Sequence, residues 1–354
     1  MKDKGKKFAE NPTEEEAFTL LWNGYDGKKL EYSFLVVFYP KKNKSILYFV
    51  NPITAFPGKT EILENTSGKE IFAYSASELE KITSHKISYY INLSSENLIK
   101  LIDLLGGLPF YLDPNVHRIP GKYARKEGDF LLFGEEAVDL FFLPAKPEPI
   151  NYIQRLNLQQ SILLSLLDKL SFLGGELHQE LIQYLYFLAE TNLPREKFEW
   201  FIKKISGGKV FYTVFEASGE LKTSQNGRTY LSLMTDQSRV GFHEMESLLF
   251  KDEESLGENA RVEILNGTEV NGLAKKTKDL LNAHSIKVLS TENAWKSGIK
   301  RSIILDRSGK AGYSRRLAEI LGIKKIKHLI RKESGLDVTI LLGEDIESKT
   351  GKVK

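Results

Sequence analysis

In the run HRIPGKYARKEGD, from His117 to Asp129, four cations (Arg118, Lys122, Arg125 and Lys126) fall in a stretch punctuated by Pro120, Gly121 and Gly128. Such cations can converge on a phosphate or an acidic glycan, or they can remain a solvated basic loop. A second run, IKKIKHLIRK, sets Lys324, Lys325, Lys327, Arg331 and Lys332 among Ile326, Leu329 and Ile330. Its default reading is the solvated face of a packed element, and the alternative is contact with an anionic polymer. A third, LNGTEVNGLA, follows an apolar strand and opens a helix. A helix amino terminus behind a glycine turn presents free N–H groups that can hold an anion. Equally, Asn266, Gly267 and Gly272 can simply supply positive φ angles and tight turns, which is the favoured reading.

Other chemistries lack their residues. The six histidines are scattered along the chain, and none has the i, i+4 partner or nearby carboxylate spacing of a zinc site. No G-x-S-x-G elbow, G-x-x-x-x-G-K-[ST] loop or G-x-G-x-x-G turn occurs, which sets hydrolase and nucleotide-enzyme readings aside. With no cysteine, disulfides, thiolate metal sites and cysteine nucleophiles are excluded. Fifty Lys and Arg against 47 Asp and Glu leave a net charge of +3, so the overall balance implies no field for nucleic acid.

The elements that must position these residues follow from apolar spacing. YSFLVVFYPKKNKSILYFVNP reads as a hairpin of two buried strands. SASELEKITSHK reads as a helix capped by Ser75 or Ser77, and SSENLIKLIDLLGG as one capped by Ser94 or Ser95 and stopped at Gly106 and Gly107. From Asn151 to Ala189 the spacing predicts two packed helices broken at Gly174 and Gly175. Alternating strands with a turn at Asn226 and Gly227 then lead to a closing helix, SRVGFHEMESLLF. The charged stretch around 251–259 reads as a linker. Beyond it, two strand-helix-strand units form a compact α/β domain that could fold alone. The amino end has no apolar segment of signal-peptide kind, and no run approaches the ~20 residues of a membrane helix, so any export segment would lie outside this sequence.

VEILNGTEVNGLAKKTKDLL, followed by RSIILD and DVTILLGED, resembles the LytR C-terminal domain, through Asn266-Gly267-Thr268, Gly272-Leu273-Ala274 and Leu342-Gly343-Glu344-Asp345. The preceding region is similar to the LytR-CpsA-Psr catalytic domain. The matching positions are Asp103, Gly106 and Gly107; Leu132, Gly134, Glu135 and Ala137; Arg155, Gln159 and Gln160; and the ETNLPREKF helix start. The resemblance implies an α/β fold with a central mixed sheet over residues 28–250, after an amino-terminal extension of 1–27. A linker of 251–259, the small α/β domain of 260–346 and a basic tail of 347–354 complete the division.

The resemblance further implies a place in the cell envelope, a polyprenyl-pyrophosphate lipid between sheet and helices, and transfer of a glycopolymer to peptidoglycan. Arginines would hold the pyrophosphate and carboxylates a magnesium ion. Here Lys29-Leu30-Glu31-Tyr32 stands in place of Arg-x-Asp-Thr, and Val50-Asn51-Pro52-Ile53-Thr54 in place of Ile-Pro-Arg-Asp-Thr. The arginine pair after the Gly-Glu-Gln-Ala segment falls on Phe142 and Pro144, and a further arginine on Leu158. Lysine does not reproduce the bidentate fork of arginine, and apolar residues supply no charge. The expectation is a degenerate, non-catalytic member that binds an envelope glycopolymer, peptidoglycan or an envelope protein. It would need no cofactor or metal, expects no nucleic acid, and would use its carboxyl domain for docking. The alternatives are an active magnesium-dependent transferase and a nucleic-acid-binding regulator. In the transferase, Arg155 and Glu31 would be catalytic, Lys29, Arg118 and Arg125 would bind phosphate, and Glu31 would hold the metal.

Overall fold

The computed structural model describes residues 17–59, 61–66, 69–112, 128–141, 149–174, 177–207, 210–251 and 259–346. The chain opens with β1 (Phe18–Asp26), β2 (Lys29–Tyr39) and β3 (Lys44–Val50), an antiparallel meander with Asn43 at a positive φ in the second turn. β1 is a fully integrated strand, so residues 18–26 belong to the body and not to an amino-terminal extension ending at residue 27. The short β4 (Thr54–Ala55) precedes α1 (Lys69–Thr83). That helix starts earlier than the serine caps predict, and Ser75 lies inside it with its Oγ donating to the Ile71 carbonyl at 2.6 Å. β5 (Tyr89–Ser94) leads into α2 (Ser95–Leu104), whose start is capped as expected, the Ser94 Oγ accepting from the Asn97 amide.

β6 (Leu108–Leu112), β7 (Gly128–Leu132) and α3 (Gly134–Phe141) precede the long α4 (Pro149–Phe172). Then come α5 (Gln179–Phe187), β8 (Glu190–Thr191), α6 (Arg195–Ser206), β9 (Phe211–Glu216), β10 (Gly219–Thr223), β11 (Thr229–Leu233) and α7 (Thr235–Leu249). The central sheet has the order β8-β5-β1-β2-β3-β9 and mixes parallel with antiparallel pairs. Its middle strands are apolar on both faces because both are covered. Trp22, Phe34, Val36 and Phe38 meet α4 and α6, while Leu21, Leu35, Val37 and Tyr48 meet α1 and α7.

The carboxyl unit comprises β12 (Val262–Asn266), α8 (Leu273–Ala283), β13 (Val288–Asn293), β14 (Ile303–Asp306), α9 (Ala311–Leu321), β15 (Ile326–His328) and β16 (Val338–Leu342). Its sheet runs β13-β12-β16-β14-β15. Both helices pack on one face, through Leu273, Leu281, Tyr313 and Leu317 against Ile264, Ile304 and Ile340. The other face carries Ile303, Leu305 and Leu341, which together with Leu329 and Ile330 merge into the core of the body.

A largely parallel sheet with helices on one side needs a second cover, and the body supplies it. The expectation that this unit could fold alone is therefore corrected: its uncovered sheet face is completed by the body. The Ile330 amide donates to Ser161 Oγ on α4 at 2.9 Å, the Val214 amide to the Gly309 carbonyl at 3.0 Å, and Arg315 to the Val210 carbonyl at 2.9 Å. The predicted linker falls mostly, and the basic tail wholly, outside the described residues.

Candidate functional site

The residues singled out for pyrophosphate and metal chemistry meet at the start of β2 and the first half of α4. Glu31 is 6% exposed. Lys29, two residues away on the strand, reaches its Oε1 at 2.9 Å, and Arg155 from α4 contacts its Oε2. One turn further along α4, Gln159 donates to the Glu31 carbonyl at 3.0 Å and the Phe141 carbonyl at 3.2 Å, fastening the helix across strand and α3. Burial pushes the Arg155 guanidinium down to about 10, which leaves it cationic at neutral pH. Lys29, Glu31 and Arg155 therefore converge, as two cations on one buried carboxylate, Arg155 enclosed and Lys29 half exposed. Arg118 and Arg125 lie outside the described residues.

Such a carboxylate does not fit a magnesium ion, because each of its oxygens already faces a cation and a magnesium site presents free carboxylate oxygens beside substrate phosphates. Among the described residues no group of three or more His, Asp or Glu is arranged to hold a metal.

The space between the sheet and the helices beside this cluster is packed. Tyr32 meets Phe141 edge-on at 4.6 Å, and a stack runs from Tyr32 through Phe34 to Phe49 with ring centroids 6.2 and 5.0 Å apart. Gly24 makes room for this, since a Cβ there would lie 1.7 Å from the Tyr32 ring. Among the described residues, a void of about 10 Å³ lies between Trp22, Phe38, Leu167, Phe201 and Tyr212, at the lower limit of room for a single water.

Other motif residues are structural. Asp103 Oδ1 accepts the Gly134 amide at 2.7 Å and so caps α3, and Gly134 sits directly on Ile99. In the carboxyl unit, the Asn266 Oδ1 accepts from the Thr268 amide and hydroxyl at 3.1 and 2.8 Å while its Nδ2 donates to the Val270 carbonyl at 3.0 Å. Gly267 is wedged under Ile299 and the Leu342 carbonyl, and Gly272 opens α8 at φ 78°. This turn is a self-satisfied Asx arrangement; of the three residues read as supplying positive φ angles, Gly272 alone has one, while Asn266 ends β12.

Sequence reasoning missed the polar face of α4 that binds the carboxyl unit. His328 on β15, 5% exposed, is held between Asp306 at 2.9 Å and Asp168 of α4 at 3.0 Å. Burial lowers the affinity of this imidazole for a proton, but Asp168 and then Asp306 outweigh it and push the pKa up to about 10. At Asp168 burial is in turn outweighed by the charge and hydrogen bond of His328, helped by Arg315 and Lys327, which keep its carboxyl below the usual range. Gln160 donates at 2.7 Å and Lys332 at 2.6 Å to the same oxygen of Glu216, and Asn157 donates to Glu333 at 2.7 Å. Lys325 and Lys327 face Asp129. The basic run at 324–332 is thus largely a clasp between domains. A separate cluster gathers Tyr39, His85 and His243 on the carboxylate of Glu246 and Ser84 on His243; His243 and Glu246 are three apart on α7, but Tyr39, Ser84 and His85 lie more than 150 residues upstream, too far for spacing to connect them.

Residues 259–345 match the family described as LytR cell envelope-related transcriptional attenuator. The carboxyl unit is a LytR C-terminal domain. By sequence, no curated protein matches the chain. By structure, it is similar to TagT of B. subtilis, at 16% identity and a TM-score of 0.52, over 69% of this chain and 95% of that one. TagT bound to LIIa-WTA gives 17% identity and a TM-score of 0.52 over 69% and 94%. Lin1025 from Listeria innocua gives 16% and 0.50 over 66% and 100%. At such identities the likeness is one of fold. The body shares the fold of these proteins, and the LytR C-terminal domain packs against it.

Proposed function

We propose that this chain is a non-catalytic LytR-CpsA-Psr-fold scaffold of the cell envelope, which holds a glycopolymer during its assembly or attachment. The observation that carries the reading is the Lys29–Glu31–Arg155 cluster. The family chemistry needs several cations to offset the diphosphate and a carboxylate free for magnesium, and here both oxygens of Glu31 are taken by cations and the enclosed Arg155 is held on it, leaving one net positive charge. The packed aromatic stack supports it too, since a polyprenyl chain between sheet and helices would have to displace Tyr32, Phe34 and Phe49. The glycopolymer partner is supported by the likeness to TagT, a protein whose structure is known bound to LIIa-WTA. The envelope location rests on the description of the family matched by the carboxyl domain. Among the described residues no helix is long and apolar enough to cross a membrane.

The test is incubation with magnesium, a polyprenyl-pyrophosphate analogue and a glycan acceptor. The expected result is release of the polyprenyl phosphate carrier at background, unchanged by Arg155→Ala. Magnesium-dependent release that falls tenfold or so with Arg155→Ala would instead establish the transferase.

A further inference from the structure

The charge of the chain is unevenly divided. Residues 259–346 hold 17 Lys and Arg against 10 Asp and Glu, whereas the rest of the sequence holds 33 against 37. Part of the carboxyl domain's excess is absorbed where it meets the body: Lys325 and Lys327 face Asp129, Lys332 faces Glu216, and His328 lies between Asp168 and Asp306. Within the domain, Arg261 and Lys310 share Asp337, and Lys300 pairs with Glu344.

The helix α8 is different. Its buried side, Leu273, Ala274, Thr277 and Leu281, faces its own sheet, on the face opposite the body. Its outer side carries Lys275, Lys276 and Lys278, with Lys287 just before β13. None of these four lysines has an acidic partner among the described residues, and Asp279, the one acid on the helix, forms no ion pair there. Three unpaired ammonium groups within four residues repel one another, and an external polyanion relieves that repulsion.

We infer that the outer face of α8 in the LytR C-terminal domain binds the phosphate-bearing backbone of an anionic glycopolymer. The inference rests on the scaffold reading and gives its partner a chemistry and a place. Lysine suits such a polymer: it is a compact point charge on a flexible stem, matched to phosphodiesters whose spacing varies, and it makes no demand for a bidentate fork. Nucleic acid is the less fitting polyanion, because single strands are held by stacking on aromatic or guanidinium planes, and neither α8 nor β13 carries an aromatic residue or an arginine.

Docking against the body matters to this function. It pairs Lys325, Lys327 and Lys332 of the other basic run with Asp129 and Glu216 and leaves the α8 face directed outward, so the polymer is presented on a rigid surface.

The full chain is titrated with poly(glycerol phosphate), neutral dextran and single-stranded DNA of matched charge. The polymer should bind and dextran should not. The triple variant Lys275→Gln, Lys276→Gln and Lys278→Gln should melt like the wild type but bind the polymer on the order of 100-fold more weakly at about 0.1 M salt. Its log affinity against log salt should have a slope shallower by about 2, as expected for three lost contacts to a polymer charged like a single strand. The corresponding Lys→Arg triple should bind as the wild type does. Unchanged polymer binding by the Gln triple would overturn the α8 assignment and leave the scaffold reading standing. No polymer binding by the wild type would overturn the inference together with the glycopolymer partner. DNA bound more tightly than the polymer would overturn the choice of polyanion.

Discussion

The imidazole of His328 couples the two domains, and its protonation makes their stability depend on pH. The group is fully enclosed, its folded pKa is about 10, and its ordinary value is 6.5. A raised folded pKa contributes stability that is complete below the unfolded value and is lost as pH climbs through the folded one. At 1.36 kcal/mol per unit, the contribution is about 5 kcal/mol below pH 6, about 4 at pH 7 and about 1 at pH 9.5. The wild type should therefore lose about 3 kcal/mol between pH 7 and 9.5 from this group.

The assay is urea unfolding followed by fluorescence. Trp22 and Trp200 report the body and Trp295 the carboxyl domain, so a Trp22→Phe/Trp200→Phe variant isolates the second signal. Because Ile303, Leu305 and Leu341 share the body's core, both signals should give one midpoint at each pH. The His328→Gln protein should be destabilised at pH 7 and should lack most of the alkaline slope. Separate midpoints for the two signals would refute the shared core, and an alkaline slope retained by His328→Gln would refute the assignment to this imidazole.

Two further outcomes test local packing. Glu31→Leu leaves the Arg155 guanidinium enclosed with its main anionic neighbour gone, so urea unfolding should show a loss of about 3–5 kcal/mol, much of it recovered when Arg155→Leu is added. Gly267→Ala should lower stability by about 1–3 kcal/mol, since its Cβ would lie 2.5 Å from Ile299 and 2.8 Å from the Leu342 carbonyl. Gly272→Ala meets open space and should lose about 1 kcal/mol from its positive φ alone, and equal losses at the two glycines would contradict the packing account.

Local patterns in the sequence carry the secondary structure well. The hairpin of β2 and β3, the Ser94 cap, the break after α4 and both crossover helices of the carboxyl domain follow from spacing and punctuation, which are properties of neighbours in the chain. β1 escapes because its polar residues, Asn23 among them, break the apolar run. In the fold Asn23 is satisfied by Ser33 and Asn92, 10 and 69 residues away. β15 escapes because its lysines read as a solvated face, while their partners Asp129 and Asp168 come from elements far upstream. At the site, the resemblance pointed to Lys29, Glu31 and Arg155, and the fold brings them together. Residue types alone do not reveal that both cations close on the one carboxylate, because that depends on how α4 lies across β2.

The placement of α4 sets what its polar residues do. Arg155 and Gln159 fasten the helix to β2, and Asn157, Gln160, Ser161 and Asp168 lie along the side that meets the carboxyl domain or its clasp. A helix that must open to admit a lipid carrier and a diphosphate cannot also be fixed by buried ions on both of these sides, since each opening would expose Glu31 to an unpaired guanidinium on one side or strip Asp168 from His328 on the other. Rigidity of this kind suits a protein that presents a surface. The amino body then acts as the second cover for the carboxyl sheet, and the lysines of α8 lie on the opposite, outward face.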